Sequence, residues 1–318
     1  MHGRWAAATA AAVVLGLVLL PSQLYGSQQR TLAGVFMFVV LAQAWNVIGG
    51  FAGYPSFGNV AFFGLGGYTA AILMAKAGVS FWLALPASGL VGLAFAAGIG
   101  IPIVRLRGHY FAVATLGIAE GTREIVINLP RLTGGGAGLT VPVVGPRATT
   151  AHLGNYGFYL LFLALAVVTT LVVWALSRNR LGYALRALHQ NEDGAAAMGI
   201  DTTRAKVAAF ALSGLLTALA GATYGFQQVS IYPERLFAVD LTVLMVVMAV
   251  IGGTGTVLGP VVGAVGLQIL SEYLRTHYTQ AHTLILGAII VVAVLLLPEG
   301  VVRARRRPLL ATVRAYRL

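Results

Sequence analysis

An all-α, polytopic membrane fold of about ten helices, some of them interrupted, is predicted by three features of this sequence. Hydrophobic residues make up 58% of the 318 residues and charged residues only 9%, against about 25% charged in an ordinary soluble chain. Apolar runs approaching the roughly 20 residues needed to cross a bilayer recur from Trp5 to Leu297 with short breaks. No stretch between them is long enough for a separate globular domain, so 1–318 reads as a single membrane domain.

Cut at polar or Gly/Pro positions, the runs fall at 5–20, 32–48, 60–77, 81–104, 110–128, 158–176, 205–228, 240–251, 257–274 and 282–297. The first follows Arg4 and has the charged start and apolar middle of a signal peptide. Residues 21–27 offer no small-x-small cleavage site, so it reads as an uncleaved first helix. The run 240–251 is short for a bilayer: it is a half-helix, or a tilted segment continuing through Gly252, Gly253 and Gly255.

The formal charge of +12 does not point to nucleic acid, because the basic residues sit at the ends of apolar runs. Arg4, Arg105, Arg107, Arg178, Arg180, Arg186, Arg204, Lys206 and the tail arginines Arg303, Arg305, Arg306, Arg307, Arg314 and Arg317 fall on one side of the predicted bilayer. Arg30, Lys76, Arg131, Arg147, Arg235 and Arg275 fall on the other. This bias places both termini in the cytoplasm, which an even number of spans satisfies. An external loop at 129–157, a charged cytoplasmic loop at 177–204 and a basic tail at 299–318 then lie outside the membrane.

Catalytic constellations are absent. With no cysteine, thiolate metal sites and cysteine nucleophiles are excluded. Neither lysine, Lys76 or Lys206, stands in the Gly-Lys-Ser/Thr setting of a phosphate-binding loop. The six histidines are scattered without a His-x-x-x-His pair, and Ser56 lacks the spacing of a nucleophile elbow. The chain reads as no enzyme, with no metal site and no cofactor of its own.

Four segments carry polar chemistry instead. From Gly49 to Asn59, glycines and Pro55 interrupt two apolar runs; unpaired backbone at membrane depth must be buried in protein or line a watery cavity, and the other reading is a surface turn. A similar pattern links Ile48-Gly49-Gly50 and Gly58-Asn59-Val60 with Ile251-Gly252-Gly253 and Gly259-Pro260-Val261; interrupted helices at corresponding positions mark substrate paths in many transporters. Glu120, Arg123 and Glu124 share one helical face, as an internal ion pair or on a solute path. Asn46, Tyr54, Ser56, Asn59, Thr115, Glu120 and Arg123 are the candidates for such a path. The external glycines of 132–139 suggest a flexible or tightly turned docking loop, or a backbone nest for an anion.

The 177–204 loop has the clearest pattern. Apolar residues from Leu181 to Leu188 recur at helical spacing. Asn191, Glu192 and Asp193 open a second helix where its dipole favours acidic groups, Gly199 stops it, and Asp201 with Thr202 and Thr203 caps the next span. Two short helices outside the membrane offer a surface to a partner protein, or an amphipathic hairpin to the lipid.

These stretches resemble a known family. YPSFGNVAFFGLGGYTAA (54–71), RLRGHYFAVATLGIAEGTRE (105–124), LTGGGAGLTVP (132–142), NRLGYALRALHQNEDGAAAMGIDTTRAKVAAFALSG (179–214) and IGGTGTVLGPVVGA (251–264) are similar to the membrane permeases of branched-chain amino acid ATP-binding cassette importers, LivM type. The resemblance implies a subunit of an ATP-driven importer for small hydrophobic amino acids in a bacterial or archaeal inner membrane. Its implied partners are a second permease chain, two cytoplasmic P-loop ATPases holding ATP and Mg, and an external solute-binding protein. It also implies that 179–204 is the coupling element, with Arg186, Glu192, Asp193, Met198, Gly199 and Ile200 as the ATPase-facing candidates. Ala196 stands where the family often has an acidic residue. The rival readings are a permease for urea or short amides on the same scaffold and a stand-alone secondary transporter, for which Glu120 and Glu124 are the ion-coupling candidates.

Overall fold

The computed structural model describes residues 12, 14–143, 150–278, 281–296 and 300–304. Half of the first predicted span, Arg147 and most of the basic tail lie outside them; residues 14–19 are helical and run into a 3-10 turn at Leu20–Gln23. The main helices are α1 (Gly26–Trp45), α2 (Asn59–Ala75), α3 (Phe81–Ile103), α4 (His109–Ile127), α5 (Gly154–Arg178), α6 (Arg180–Gln190), α7 (Glu192–Ala197), α8 (Thr202–Gln228), α9 (Val239–Gly252), α10 (Gly259–His277) and α11 (His282–Leu296). The chain is an all-α polytopic membrane protein. Among the described residues, five segments are long and apolar enough to cross a membrane: Gly26–Phe51, Phe81–Ile103, Gly154–Arg178, Thr202–Gln228 and Pro233–Gly252.

Two boundaries have local causes, the first departing from expectation and the second deciding between the two readings of 240–251. α1 begins at Gly26 rather than 32, because Gln28 Oε1 accepts the Tyr25 N–H at 3.1 Å and caps a polar first turn that hydropathy reads as loop. α9 stops at Gly252 rather than continuing, and the chain leaves it through Gly253 at φ 118°. Its 14 residues span about 21 Å at 1.5 Å each.

The core forms around α8 and α1. The small residues of α2 work as close-contact packing: a Cβ on Gly66 would lie 2.1 Å from the Ala218 carbonyl oxygen, and one on Gly221 would lie 2.0 Å from that of Phe63. Small residues let α8 approach α2 and α3 at backbone distance, the usual basis of helix association in lipid. Buried aromatics fill the flanks, with Phe62 edge-on to Phe210 and Phe81 stacked on Phe226.

Among the described residues, the regular structure that is not helical is one short strand pair. Leu139–Thr140 pairs antiparallel with Ser230–Ile231, joining the 129–157 loop to the end of α8. The glycine-rich stretch before it is tightly turned: Thr133 Oγ1 donates to the Val126 carbonyl at 2.6 Å and accepts from Gly135 N at 3.1 Å. Gly138 takes φ 76°, where a side chain would meet the Ile231 carbonyl at 2.1 Å.

Candidate functional site

α1 does not end cleanly. It widens into one π-helical stretch, Asn46–Phe51, and 52–58 then runs without regular structure to α2. Gly252 to Gly259 makes a second interruption between α9 and α10. The first break is largely buried, with Tyr54, Ser56 and Gly58 inside, so its backbone needs internal partners. Trp45 Nε1 donates to the Ser56 carbonyl at 2.8 Å, Phe57 N to Thr115 Oγ1 at 3.0 Å, and Gly58 N to Ser56 Oγ at 3.2 Å.

The two breaks touch. Asn46 Oδ1 accepts from Gly255 N at 2.8 Å while its Nδ2 donates to the Thr256 carbonyl at 2.9 Å. One turn earlier, Gln43 Nε2 donates to the Val257 carbonyl at 2.6 Å. Asn59 Nδ2 donates to Ser213 Oγ at 2.8 Å, and Ser213 donates in turn to the Ala44 carbonyl at 2.7 Å. Asn46, Ser56, Asn59 and Thr115 are all fully buried. Thus four of the predicted path residues come together, and their hydrogen bonds serve chiefly to hold the two breaks. Asn46→Ala would strand the Gly255 N–H and the Thr256 carbonyl, at about 1–3 kcal/mol for each buried group left unpaired. Thermal unfolding of the purified variant in detergent checks this; a midpoint equal to wild type would refute the bridging role.

Glu120 and Arg123 lie elsewhere. α4 buries one stripe, Phe111, Thr115, Ala119, Thr122 and Val126, and turns its charges outward. Arg123 Nε lies 3.0 Å from Glu120 Oε2, and Arg123 Nη2 lies 3.2 Å from Glu124 Oε1, with the three side chains 32–55% exposed. The i,i+3 pair expected from the spacing forms, but on the outer face of the helix rather than inside the bundle. Charges facing hydrocarbon are costly, so this face requires a partner chain or water.

The 177–204 loop folds as its sequence predicts. Asn179 Oδ1 caps α6 on Gly182 N at 2.8 Å, Asn191 Oδ1 caps α7 on Gly194 N at 2.9 Å, and Asp201 caps α8 on Arg204 N at 2.9 Å. Gly199, at φ 83°, ends the α7 segment. The hairpin docks directly beneath the first break. His189 Nδ1 sits 3.0 Å from the Gly50 carbonyl, and the Arg186 guanidinium lies 5.6 Å from the Phe51 ring centre while bonding the Ser177 carbonyl.

Glu192 turns inward rather than toward a partner: its side chain is 14% exposed. Its carboxylate bonds Lys206 Nζ at 2.6 Å, accepts a hydrogen bond from the Tyr54 hydroxyl, and lies 3.4 Å from Arg107 Nε. Tyr54 therefore joins the loop, not the Asn46–Asn59 group. Burial opposes ionisation of Glu192 and is the largest single effect, but the bonds from Lys206 and Tyr54 and the two nearby cations outweigh it. The carboxyl accordingly titrates below its usual range. Asp193, held by Arg107 at 2.9 Å, is likewise lowered. Among the predicted loop residues, Arg186, Asp193, Met198 and Gly199 remain exposed and Ile200 is partly buried, with the apolar Met198 74% exposed.

Sequence reasoning missed Lys206, Arg107, His189 and Gln43. Lys206 left a signal, since it is one of two lysines and is flanked by Ala205 and Val207 within an apolar helix.

Comparison with known proteins finds relatives over most of the chain. A family model described as branched-chain amino acid transport system / permease component matches residues 27–294. The high-affinity branched-chain amino acid transport system permease protein LivM of Escherichia coli is 30% identical over 297 residues, covering 85% of this chain and 68% of that protein. A probable LivM of Methanocaldococcus jannaschii is 24% identical over 274 residues, covering 76% and 79%. The autoinducer 2 import system permease protein LsrC of Salmonella typhi is 27% identical over 203 residues, covering 60% and 55%. No solved structure matches.

Proposed function

The chain belongs to the branched-chain amino acid transport system permease family, and from that premise we propose that it is one permease subunit of an ATP-driven importer for branched-chain or similar small hydrophobic amino acids. In this reading 1–318 is one permease domain with ten spans and both termini in the cytoplasm of a bacterium or archaeon. Separate P-loop ATPases, which carry ATP and Mg, bind the exposed Asp193–Met198 side of the 177–204 loop. A solute-binding protein delivers the amino acid at the tightly turned 129–157 loop. A second permease chain covers the outward face of α4, where Glu120 and Arg123 border the solute path.

The observation that carries this reading is the docking of the 177–204 hairpin onto the first helix break, through His189 on the Gly50 carbonyl and Glu192 on Tyr54. A partner pulling on the hairpin would act on the interrupted helix, and through Asn46 on the second break. A ligand or partner shifts such packing only by binding its two arrangements differently, so no covalent chemistry is needed here.

Two experiments test it. Tagged chain extracted from its native membrane should bring down a P-loop ATPase and a second permease in stoichiometric amounts. The reconstituted assembly should take up leucine, isoleucine or valine only with ATP and the solute-binding protein. Uptake by the isolated chain, driven by an ion gradient, would overturn the proposal.

A further inference from the structure

We propose that Lys206 is a positioning residue that latches the α7 helix to the first helix break, so that loop and break move as one body; the consequence for transport rests on the importer reading above. Lys206 stands in the second turn of α8 with its side chain 3% exposed. An ammonium has three protons to donate, and three partners surround this one. They are Glu192 Oε1 on α7 at 2.6 Å, the Val104 carbonyl just after α3 at 2.6 Å, and the Tyr54 hydroxyl in the break at 3.3 Å. Tyr54 donates to the other oxygen of Glu192, and the ammonium also lies 4.9 Å from the centre of the Tyr54 ring.

The position is unfavourable for α8 taken alone. A cation near a helix N-terminus opposes the macrodipole, and burying a charge is costly unless it is paired. Glu192 offsets both. If α7 moved away alone, it would strand a buried ammonium beside Tyr54, an arrangement costlier than moving Tyr54 along with Glu192. The residues linked are 138 positions apart in the chain, so the latch joins segments that chain connectivity does not hold together. Its reach extends through the His189 contact with Gly50 and the Asn46 bridge to Gly255 and Thr256.

Hydrogen exchange on the full chain in lipid nanodiscs tests the latch without any partner. In Lys206→Met, exchange is expected to rise about tenfold or more in 192–199 and in 52–58 together. Tyr54→Phe, which removes one oxygen, should raise both by a smaller factor and serves if the lysine variant fails to fold. Arg275→Ala, at a remote exposed pair with Glu272, should change neither. A rise confined to 192–199, or no rise, would overturn the latch. In the assembled importer, Lys206→Met should retain ATPase binding while uptake per ATP hydrolysed falls by about tenfold; an unchanged ratio would likewise overturn it. If the wild-type chain recruits no ATPase, the importer reading fails and the exchange result still decides the latch.

Discussion

Gly221→Val and Gly66→Val should abolish recovery of monodisperse protein, while Gly98→Ala and Gly266→Ala, on the same kinds of helix, should leave it unchanged. The difference lies in what a side chain would meet. A first carbon on Gly221 or Gly66 would fall 2.0–2.1 Å from a backbone oxygen of the facing helix, whereas at Gly98 and Gly266 nothing lies within 4 Å. Backbone cannot rotate away as a flexible side chain can, so α8 and α2 would have to separate by more than an ångström. Overpacking a core by a few methylenes costs about 1–3 kcal/mol and occasionally more. Here the separation would also loosen the neighbouring contact of α8 with α3, where a Cβ on Gly92 or Gly214 would lie 2.7 Å from the other's carbonyl oxygen. In lipid, where apolar surface is not driven together by water, such packing is a main source of helix association. Fluorescence-detected size-exclusion chromatography of tagged variants reads the outcome, and a normal peak for Gly221→Val would refute the close-contact account.

Much of this fold was legible because it depends on local pattern. Apolar runs marked the helices, Gly199 marked the end of α7, and Asp201 marked the start of α8. The i,i+3 spacing paired Glu120 with Arg123. What escaped were features decided between distant segments. Hydropathy treated Lys206 as a loop charge that orients the chain, although it is buried against Glu192 and Tyr54. Glu192 was read as a surface residue because an acidic group at a helix start is satisfied by the dipole alone; the neighbouring Asp193 fits that description, and Glu192 does not. The two interruptions looked like a repeat in sequence. Their joining through Asn46, 209 residues from Gly255, follows only from how α1 packs between α9 and α10. The small strand pair was missed because two residues per strand leave no alternation to detect.

Among side-chain truncations in the 177–204 loop, Glu192→Ala should be the most damaging, costing about 3 kcal/mol of stability. Removing one member of a buried ion pair generally costs about 3–5 kcal/mol, since the other charge is left uncompensated. The lower end applies because Glu192 keeps 14% exposure while Lys206 is almost sealed. Denaturation of the purified variant in mixed micelles measures the cost, and a value under about 0.5 kcal/mol, as expected for an ordinary surface position, would show the pair to be unimportant. The pH dependence follows from the direction of the Glu192 shift. Its carboxyl is lowered on folding, so the unfolded chain binds its proton more readily than the folded one. The stabilisation is fully present above the ordinary glutamate value of about 4.3 and is lost as pH falls through the lower folded value. Hydrogen exchange in 192–199, corrected for its intrinsic pH dependence, should therefore stay flat from about pH 8 to pH 5 and rise only below about pH 4. Glu192→Gln, which keeps the shape but cannot ionise, should exchange faster at neutral pH and lose that acid dependence. A wild-type loop that already opens near pH 6 would mean that burial, not Lys206 and Tyr54, governs this carboxyl, and that the ion pair does not hold α7 in place.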